Sequence, residues 1–304
     1  MDTDGIRLFV LSADKLNISA AGRELGMAPA MASAKLAKLE KLLGSELLHR
    51  STRKVSLSIE GEEFLPFARE IVAQEEAALD AMGHGRSEPS GTLRFAASST
   101  FAQLYIMPLL PKFLARFPAI NVDLRLSDTQ FNLIEGSFDL ALRNGSLADS
   151  SLKARKLSDD LRVLCASPSY LLAEGTPQKP ADIAAHRVIG FQKLPQWPLV
   201  NSTGESFLFV SEKSQCRIVV DDGYSQKLAT MAGGGIAINS LWSVYDELQR
   251  GELVRVLPDW SVDDNAAVWL VYPKTNVLTK KVRVLIDFLL EEIHQFPVWK
   301  DNAL

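Results

Sequence analysis

The sequence predicts a multidomain α/β protein: a small, mainly helical N-terminal unit, a long helix, a short hinge, and two α/β lobes. Three observations lead there. Between Ile18 and Gly61, two short helical segments flank a tight turn and run into a basic hairpin. From Glu62 to Met82 apolar residues recur at helical spacing, and a stretch rich in Gly, Ser and Pro follows. After Gly91, short apolar runs of strand type alternate with helical segments. At 304 residues and 47% apolar the chain can build real cores, and such a length suits about two to three domains.

In the first segment, Ser19 is placed to cap a helix whose apolar face carries Ala20, Ala21 and Leu25. Gly26 ends that helix, as glycine does where a chain must turn out of one. Pro29 suits the first position of a second helix, where its missing N–H costs nothing. That helix sets Met31, Leu36, Leu39, Leu42 and Leu43 on one side and Ser33, Ala34, Lys35 and Lys38 on the other. Gly44 closes it. Leu47–Arg50 and Val55–Ser58 then alternate as two short strands around Ser51, Thr52, Arg53 and Lys54.

This is a helix-turn-helix followed by a wing, and charge says what it meets. Residues 28–56 hold six Lys/Arg against two acids, a local +4, while the whole chain is −4, leaving −8 elsewhere. A basic patch on an otherwise acidic chain marks where phosphates sit. A charge run alone reads as a solvated helix face. Helix, turn, helix and basic wing in that order point to duplex DNA, with small and basic side chains of the second helix entering the major groove. Pro29, Ala30, Ser33, Ala34, Lys35 and Lys38 are the base-reading candidates, and Arg50, Ser51, Thr52, Arg53 and Lys54 the phosphate contacts of the wing.

The stripe of the third segment is Phe64, Phe67 or Ala68, Ile71, Ala78 and Met82, with Glu70, Glu75, Glu76 and Asp80 opposite. A lone amphipathic helix needs a partner, either a second helix or its own domain. Gly83 to Gly91 reads as a flexible hinge. Beyond it, TLRFAAS, NVDLRLSD, FDLALRNG, LRVLCASP, HRVIGF, CRIVVDD, GGIAINS and VWLVYP read as strands, with helices around Leu104–Phe117 and at FNLIEG. Strands separated by helices predict parallel α/β units.

The run LFVLSAD–NISAAGREL–GMAPAMASAKLAKLEKLLGSELLHRSTRKVSLSIEG resembles the N-terminal domain of LysR-type transcriptional regulators. Phe9, Ala20, Ala21, Ser33, Leu39, Glu40, Leu43, Gly44, Arg50, Arg53 and Gly61 carry the resemblance, which extends over nearly the whole chain. It departs at Ala28, where the family carries a capping Ser or Thr, and at Ala34, where it carries Arg or another polar side chain. Leu48 replaces the usual Phe and Ser58 the usual Thr. The resemblance implies a DNA-binding domain over 1–61, a dimerising linker helix over 62–83, a hinge over 84–90 and an effector-binding domain over 91–304. The last comprises two Rossmann-like subdomains similar to periplasmic solute-binding proteins, 91–163 with 267–304 and 164–266, with crossing strands near Leu161–Ser167 and Ala267–Val271. It also implies a homodimer, or a homotetramer, acting in the cytoplasm on double-stranded DNA under a small-molecule effector bound between the subdomains.

Candidates for that cleft stand at strand ends. Ser98, Ser99 and Thr100 lie at a strand-to-helix junction, where hydroxyls and amides can hold an anion, with Phe101 beside them. Asp128 with Thr129 and Arg143 with Asn144 end the next two strands. Ser202 with Thr203, Asp221 with Asp222, and Asn239 come from the second subdomain. Capping and turn chemistry explain the same residue types without a ligand.

Other chemistries find no purchase. His49, His84, His186 and His294 are scattered, without metal spacing. Gly233-Gly234-Gly235 lacks the Lys-Ser/Thr of a phosphate loop, and no serine-hydrolase elbow or zincin motif occurs. No cofactor, metal or enzymatic activity is expected. Cys165, in an apolar strand, reads as structural rather than redox-active, and two cysteines suit a reducing compartment. The first fifteen residues lack the basic start and apolar stretch of a signal peptide, and no apolar run nears the ~20 residues that span a bilayer. The rival readings are a solute-binding protein, which leaves residues 1–61 without a role, an α/β enzyme, and a DNA-binding regulator that needs no effector.

Overall fold

A computed structural model describes residues 2–50, 55–82, 88–128, 138–145, 152–273 and 278–299. Helix α1 (Thr3–Lys15) is capped by the Asp2 carboxylate, which accepts the Asp4 amide at 3.2 Å. Helix α2 (Ile18–Glu24) is capped by Asn17, whose side chain accepts the Ala20 amide at 2.9 Å. Ser19, expected as the cap, lies inside the helix: the cap stands two residues earlier, at Asn17. Helix α3 (Pro29–Leu43) begins on Pro29 and ends at Gly44, whose φ of 71° is the left-handed conformation glycine adopts without a Cβ penalty. Ala28 caps it with no side-chain hydrogen bond.

The buried face of α3 is Ala32, Leu36 and Leu39, packed with Ile6, Leu8, Phe9, Leu47, Leu48 and Ala68. Met31 and Leu42, expected on that face, are 53% and 62% exposed. At about 100° per residue they fall on the flank of the helix, beyond the reach of its neighbours.

Strands β1 (Leu48–Arg50) and β2 (Val55–Leu57) form the antiparallel hairpin of the wing. Its tip, with Ser51, Thr52, Arg53 and Lys54, lies outside the described residues. Helix α4 (Ile59–Ala81) starts before the expected Glu62, because buried Ser58 fastens it to the hairpin. The Ser58 hydroxyl donates to the Glu46 carbonyl at 2.5 Å and accepts the Gly61 amide at 2.9 Å. Leu65 and Ala68 are the buried contacts of α4, and Phe64 stacks on Phe9 at 5.7 Å. Phe67 is 62% exposed, so Ala68 is the inward member of that pair. Glu75 and Glu76, expected on the outward side, instead take the Arg7 guanidinium at 2.9 and 2.5 Å, docking α4 onto α1.

Past the hinge, whose residues 83–87 are not among those described, β3 (Gly91–Ala97) leads into α5 (Ser99–Phe101), a π-helical turn over Ala102–Ile106, and α6 (Leu110–Arg116). The helical stretch thus begins earlier than expected at Leu104. The π turn closes through Met107 N to Ala102 O at 2.8 Å, next to Pro108, whose ring cannot continue an ordinary helix. The segment FNLIEG lies outside the described residues.

Strands β4 (Ile120–Leu126), β5 (Leu140–Gly145) and β6 (Leu152–Asp159) follow, and one sheet runs β4-β3-β5, then β15 (Ala267–Pro273), then β6. β3 is parallel to β4 and β5, but β15 is antiparallel to β5 and β6. The parallel units expected from the alternation of strands and helices are present in β3 with β4 and β5, and the sheet as a whole is mixed because β15 runs antiparallel to β5 and β6.

The second lobe holds β7 (Arg162–Ala166), α7 (Pro168–Glu174), β8 (Ile189–Phe191), β9 (Gln196–Asn201), β10 (Ser206–Val210), β11 (Ile218–Val220) and α8 (Gly223–Met231). It continues with β12 (Ala237–Ser240), α9 (Leu241–Gln249), β13 (Val254–Arg255) and β14 (Trp260–Val262). β11 pairs parallel to β8; β12-β7-β13 and β10-β9-β14 are antiparallel. Asp159 at the end of β6 still pairs with Ala267 of β15, and from Arg162 onward β7 pairs with β12. Helix α10 (Lys280–Ile293) returns to the first lobe and covers its sheet with Val282, Leu285, Ile286, Phe288 and Leu289.

Candidate nucleic-acid interface and ligand cleft

The buried face of α3 fixes its outer face. Opposite Ala32, Leu36 and Leu39, a helix advancing about 100° per residue presents Ala30, Ser33, Ala34, Ala37, Lys38 and Lys41. All six are exposed. Pro29 stands exposed at its N-terminal tip. This surface is flat and small along most of its length, with two ammonium groups at its far end.

Of the sequence candidates, Ala30, Ser33, Ala34 and Lys38 share this stripe. Lys35 does not: its ammonium bonds Asp4 at 2.6 Å and Asp2 at 3.2 Å, across the start of α1. Ala37 and Lys41 also belong to the stripe; Lys41 is one of the six basic residues of 28–56, while Ala37 carries no sequence signal. Helical advance from the buried residues finds them, but only once the buried set is known. Arg50 stands at the end of β1, and the remaining wing candidates lie outside the described residues.

The second candidate site lies between the lobes. At the end of β3, Ser98 donates its hydroxyl to Asn144 Oδ1 at 3.3 Å. The Ser99 amide bonds Asp128 Oδ1 at 3.1 Å, and the Ser99 hydroxyl bonds the other oxygen of the same carboxylate. From the opposite lobe, Gln192 sends its side-chain amide to the Asp128 carbonyl at 3.0 Å. Gln192 holds a left-handed φ of 59° to do so, a conformation that costs a non-glycine residue free energy. Asp222 caps α8 by accepting the Ser225 amide at 2.8 Å. Thr100 is buried with its hydroxyl unpartnered beside Gly223, where a Cβ would stand 3.1 Å from that oxygen. Burial pushes the Asp128 carboxyl above its ordinary value, and the charges of Asp222 and Asp221 add to this against the Ser99 bonds.

Of the donors that the sequence offers to an anion, both of Ser99 are engaged by the Asp128 carboxylate and the Ser98 hydroxyl by the Asn144 side-chain oxygen, while the Thr100 hydroxyl has no partner. The structure brings Ser98, Ser99, Thr100, Asp128, Asn144 and Asp222 together, and adds Gln192 and Gly223, which carry no sequence signal. It separates others. Phe101 is fully buried, edge-on to Trp242 at 5.0 Å, and belongs to the core. Asn239 is buried on β12, bonding Cys165 Sγ at 3.2 Å. Ser202 and Thr203 form the β9–β10 turn around Asn201, whose Oδ1 accepts the Thr203 amide at 3.1 Å. Arg143 sits on β5 opposite Trp269. Thr129 is outside the described residues.

The lobes meet at a pivot. Tyr105 donates its hydroxyl to the Trp242 carbonyl at 2.6 Å, and Trp242 Nε1 donates to buried Asp160 at 2.8 Å, where the chain changes lobes. Burial pushes the Tyr105 hydroxyl and the Asp160 carboxyl upward. Both cysteines are buried, and burial pushes the Cys165 thiol up to about 12, which suppresses thiolate chemistry. Among the described residues no group of three or more His, Cys, Asp or Glu could hold a metal ion, and no helix is long and apolar enough to cross a membrane.

Comparison with known proteins covers both sites. A family model described as the bacterial regulatory helix-turn-helix protein, lysR family, matches residues 3–62, and one described as the LysR substrate binding domain matches residues 86–293. The chain is 32% identical over 295 residues to the HTH-type transcriptional regulator CrgA of Neisseria meningitidis serogroup C, covering 96% of this chain and 97% of that one. The solved structure of CrgA from Neisseria meningitidis is similar with a TM-score of 0.60 at 31% identity, covering 96% of this chain and 99% of that one. The full-length structure of the Vibrio cholerae virulence activator AphB is similar with a TM-score of 0.59 at 27% identity, covering 96% and 99%.

Proposed function

Because the chain belongs to the LysR family of DNA-binding transcriptional regulators with an effector-binding domain, we propose that it reads duplex DNA with the outer stripe of α3. Ala30, Ser33 and Ala34 lie against base edges, and Lys38, Lys41 and the wing residues Arg50, Arg53 and Lys54 hold phosphates. The observation that carries this is the exposed stripe of small and basic side chains directly opposite the buried face of α3. Small side chains allow close approach to the groove floor, and phosphate contacts set register without reading sequence.

The cleft around Ser99, Thr100, Asp128, Gln192 and Asp222 is the effector site in this reading. A ligand that competes with the Gln192–Asp128 bridge changes how the lobes close, and it shifts the population only as far as it prefers one closure. The protein acts as a homo-oligomer in the cytoplasm. Phe67 and Leu79 on α4 and Met82 just past its end leave apolar surface, which suits pairing with a second copy, and a two-fold dimer matches a two-fold-related operator. Regulation without catalysis follows from the same reading.

The test is duplex affinity against salt for the full chain, Lys38→Ala and Arg53→Ala. Each lost phosphate contact is expected to weaken binding across all sequences and to lower the log–log salt slope by about one. Variants with the wild-type slope and affinity would remove these residues from the interface.

A further inference from the structure

Two guanidiniums from different parts of the chain converge on one carboxylate. Asp14, near the end of α1, accepts the Arg69 guanidinium of α4 at 2.8 Å, and the same oxygen pairs with the Arg94 guanidinium of β3. The two guanidiniums are only 20% and 13% exposed. Behind Arg94 the network continues. Its peptide N–H bonds Asp139 Oδ2 at 2.9 Å, and Lys281 of α10 reaches that oxygen at 3.0 Å and the Thr92 carbonyl at 2.6 Å. Two like charges held against one carboxylate are costly to bury unless each keeps its partner. Burial and the neighbouring Arg94 charge both lower the Arg69 pKa.

Arg94 stands on the strand that ends in the cleft. Ser98 lies four residue steps further on, about 13 Å at roughly 3.3 Å per residue. β3 is paired along its full length with β4 and flanked by β5, and its Leu93 and Phe95 are fully buried. A strand held this way moves with its sheet rather than bending.

We propose that Asp14 is a positioning residue for DNA binding: clamped by Arg94 and Arg69, it holds the reading head at a fixed attitude to the ligand-binding lobes, and β3 carries movement of the cleft wall to that clamp. The clamp rests on the DNA-reading and cleft-sensing roles proposed above. It makes Arg94 the point where a sheet of the sensing domain grips the DNA-binding domain, so the spacing between two heads in an oligomer depends on one carboxylate that touches no DNA.

The test uses the full chain with spin labels at Leu42→Cys and Leu172→Cys, both on exposed positions, diluted with unlabelled protein so that distances arise within one chain. The wild type is expected to give one narrow distance. Asp14→Ala and Arg94→Gln are expected to lose it to a broad or double distribution, and the exchange of Asp14→Arg with Arg94→Asp to recover it. A second arm selects duplexes from a random library. The wild type is expected to recover one spacing of half-sites, and the two single variants the same half-site at several spacings. A merely structural role would lower the melting temperature and leave spacing unchanged. Single variants that keep the narrow distance and the single spacing overturn the clamp. A wild type that recovers no sequence while keeping its narrow distance overturns the DNA-reading role instead.

Discussion

A Gly61→Ala chain is expected to lose selective duplex binding while its C-terminal lobes stay folded. Gly61 lies in the first turn of α4, where no unusual backbone angle requires glycine. What requires it is space. A Cβ there would sit 2.0 Å from the Leu47 carbonyl oxygen and 3.2 Å from Leu57 Cδ2. The Leu47 carbonyl is itself fixed, accepting the Ser58 amide at 3.0 Å. The obstacle is backbone, so no side chain can rotate away, and α4 must part from the wing hairpin. Overpacking costs about 1–3 kcal/mol where side chains can give, and more where they cannot. That is a large fraction of what a small domain has. The β1–β2 hairpin would lose its fixed attachment to the start of α4. Fluorescence anisotropy with duplex DNA and a melting scan check this: affinity falls to the non-selective level, and only the N-terminal transition moves down. Wild-type affinity in the variant would contradict the tight contact between Leu47 and α4.

Lys227→Met is expected to destabilise the second lobe by about 3–5 kcal/mol, the cost of leaving one partner of a buried ion pair uncompensated. Lys227 Nζ bonds Glu247 Oε1 at 2.9 Å, tying α8 to α9, with side chains only 7% and 11% exposed. Arg250 approaches Glu247 at 3.7 Å but is itself half-exposed, so it recovers only a part of the loss. Pairing Lys227→Met with Glu247→Met removes both charges and replaces them with apolar volume. The double variant is expected to return close to wild-type stability, since well-packed apolar pairs often match buried ion pairs. Urea unfolding of the four proteins measures the cycle. A double variant as unstable as the single one would mean that the loss comes from shape and not from the unpaired charge.

These two sites differ in how far the sequence announced them. Pro29 and Gly44 marked the ends of α3 correctly, because each acts through its own backbone. Which side of α3 is buried is only half legible: periodicity turns Leu36 and Leu39 inward, as the structure does, but it turns Met31 and Leu42 inward too, and these are exposed. Periodicity defines a stripe, but the width that neighbours cover is a tertiary property. The start of α4 was misplaced because its cap, Ser58, works by joining the hairpin to the helix.

In the lobes, apolar runs gave away the inner strands and hid the others. β9 contains Pro198, which argues against a strand. β6 is charged along its length, as an edge strand can afford to be. Strand direction was not legible, since β15 lies antiparallel to β5 only because the chain comes back from the other lobe. At the cleft, Ser98–Thr100 and Asp128 were visible as strand-end polar residues. That Asp128 takes the donors of Ser99 depends on the parallel register of β3 and β4, and Gln192 arrives from a different lobe altogether.

The central claim is that the outer stripe of α3 reads duplex DNA. Selection from a random duplex library by the full chain, followed by sequencing of what is retained in moderate salt, tests it most directly. The wild type is expected to enrich a two-fold-related motif, and Ala34→Arg a changed half-site, because its longer side chain gains a bidentate contact to guanine. A wild type that enriches nothing, or an Ala34→Arg variant that enriches the wild-type motif unchanged, would contradict it.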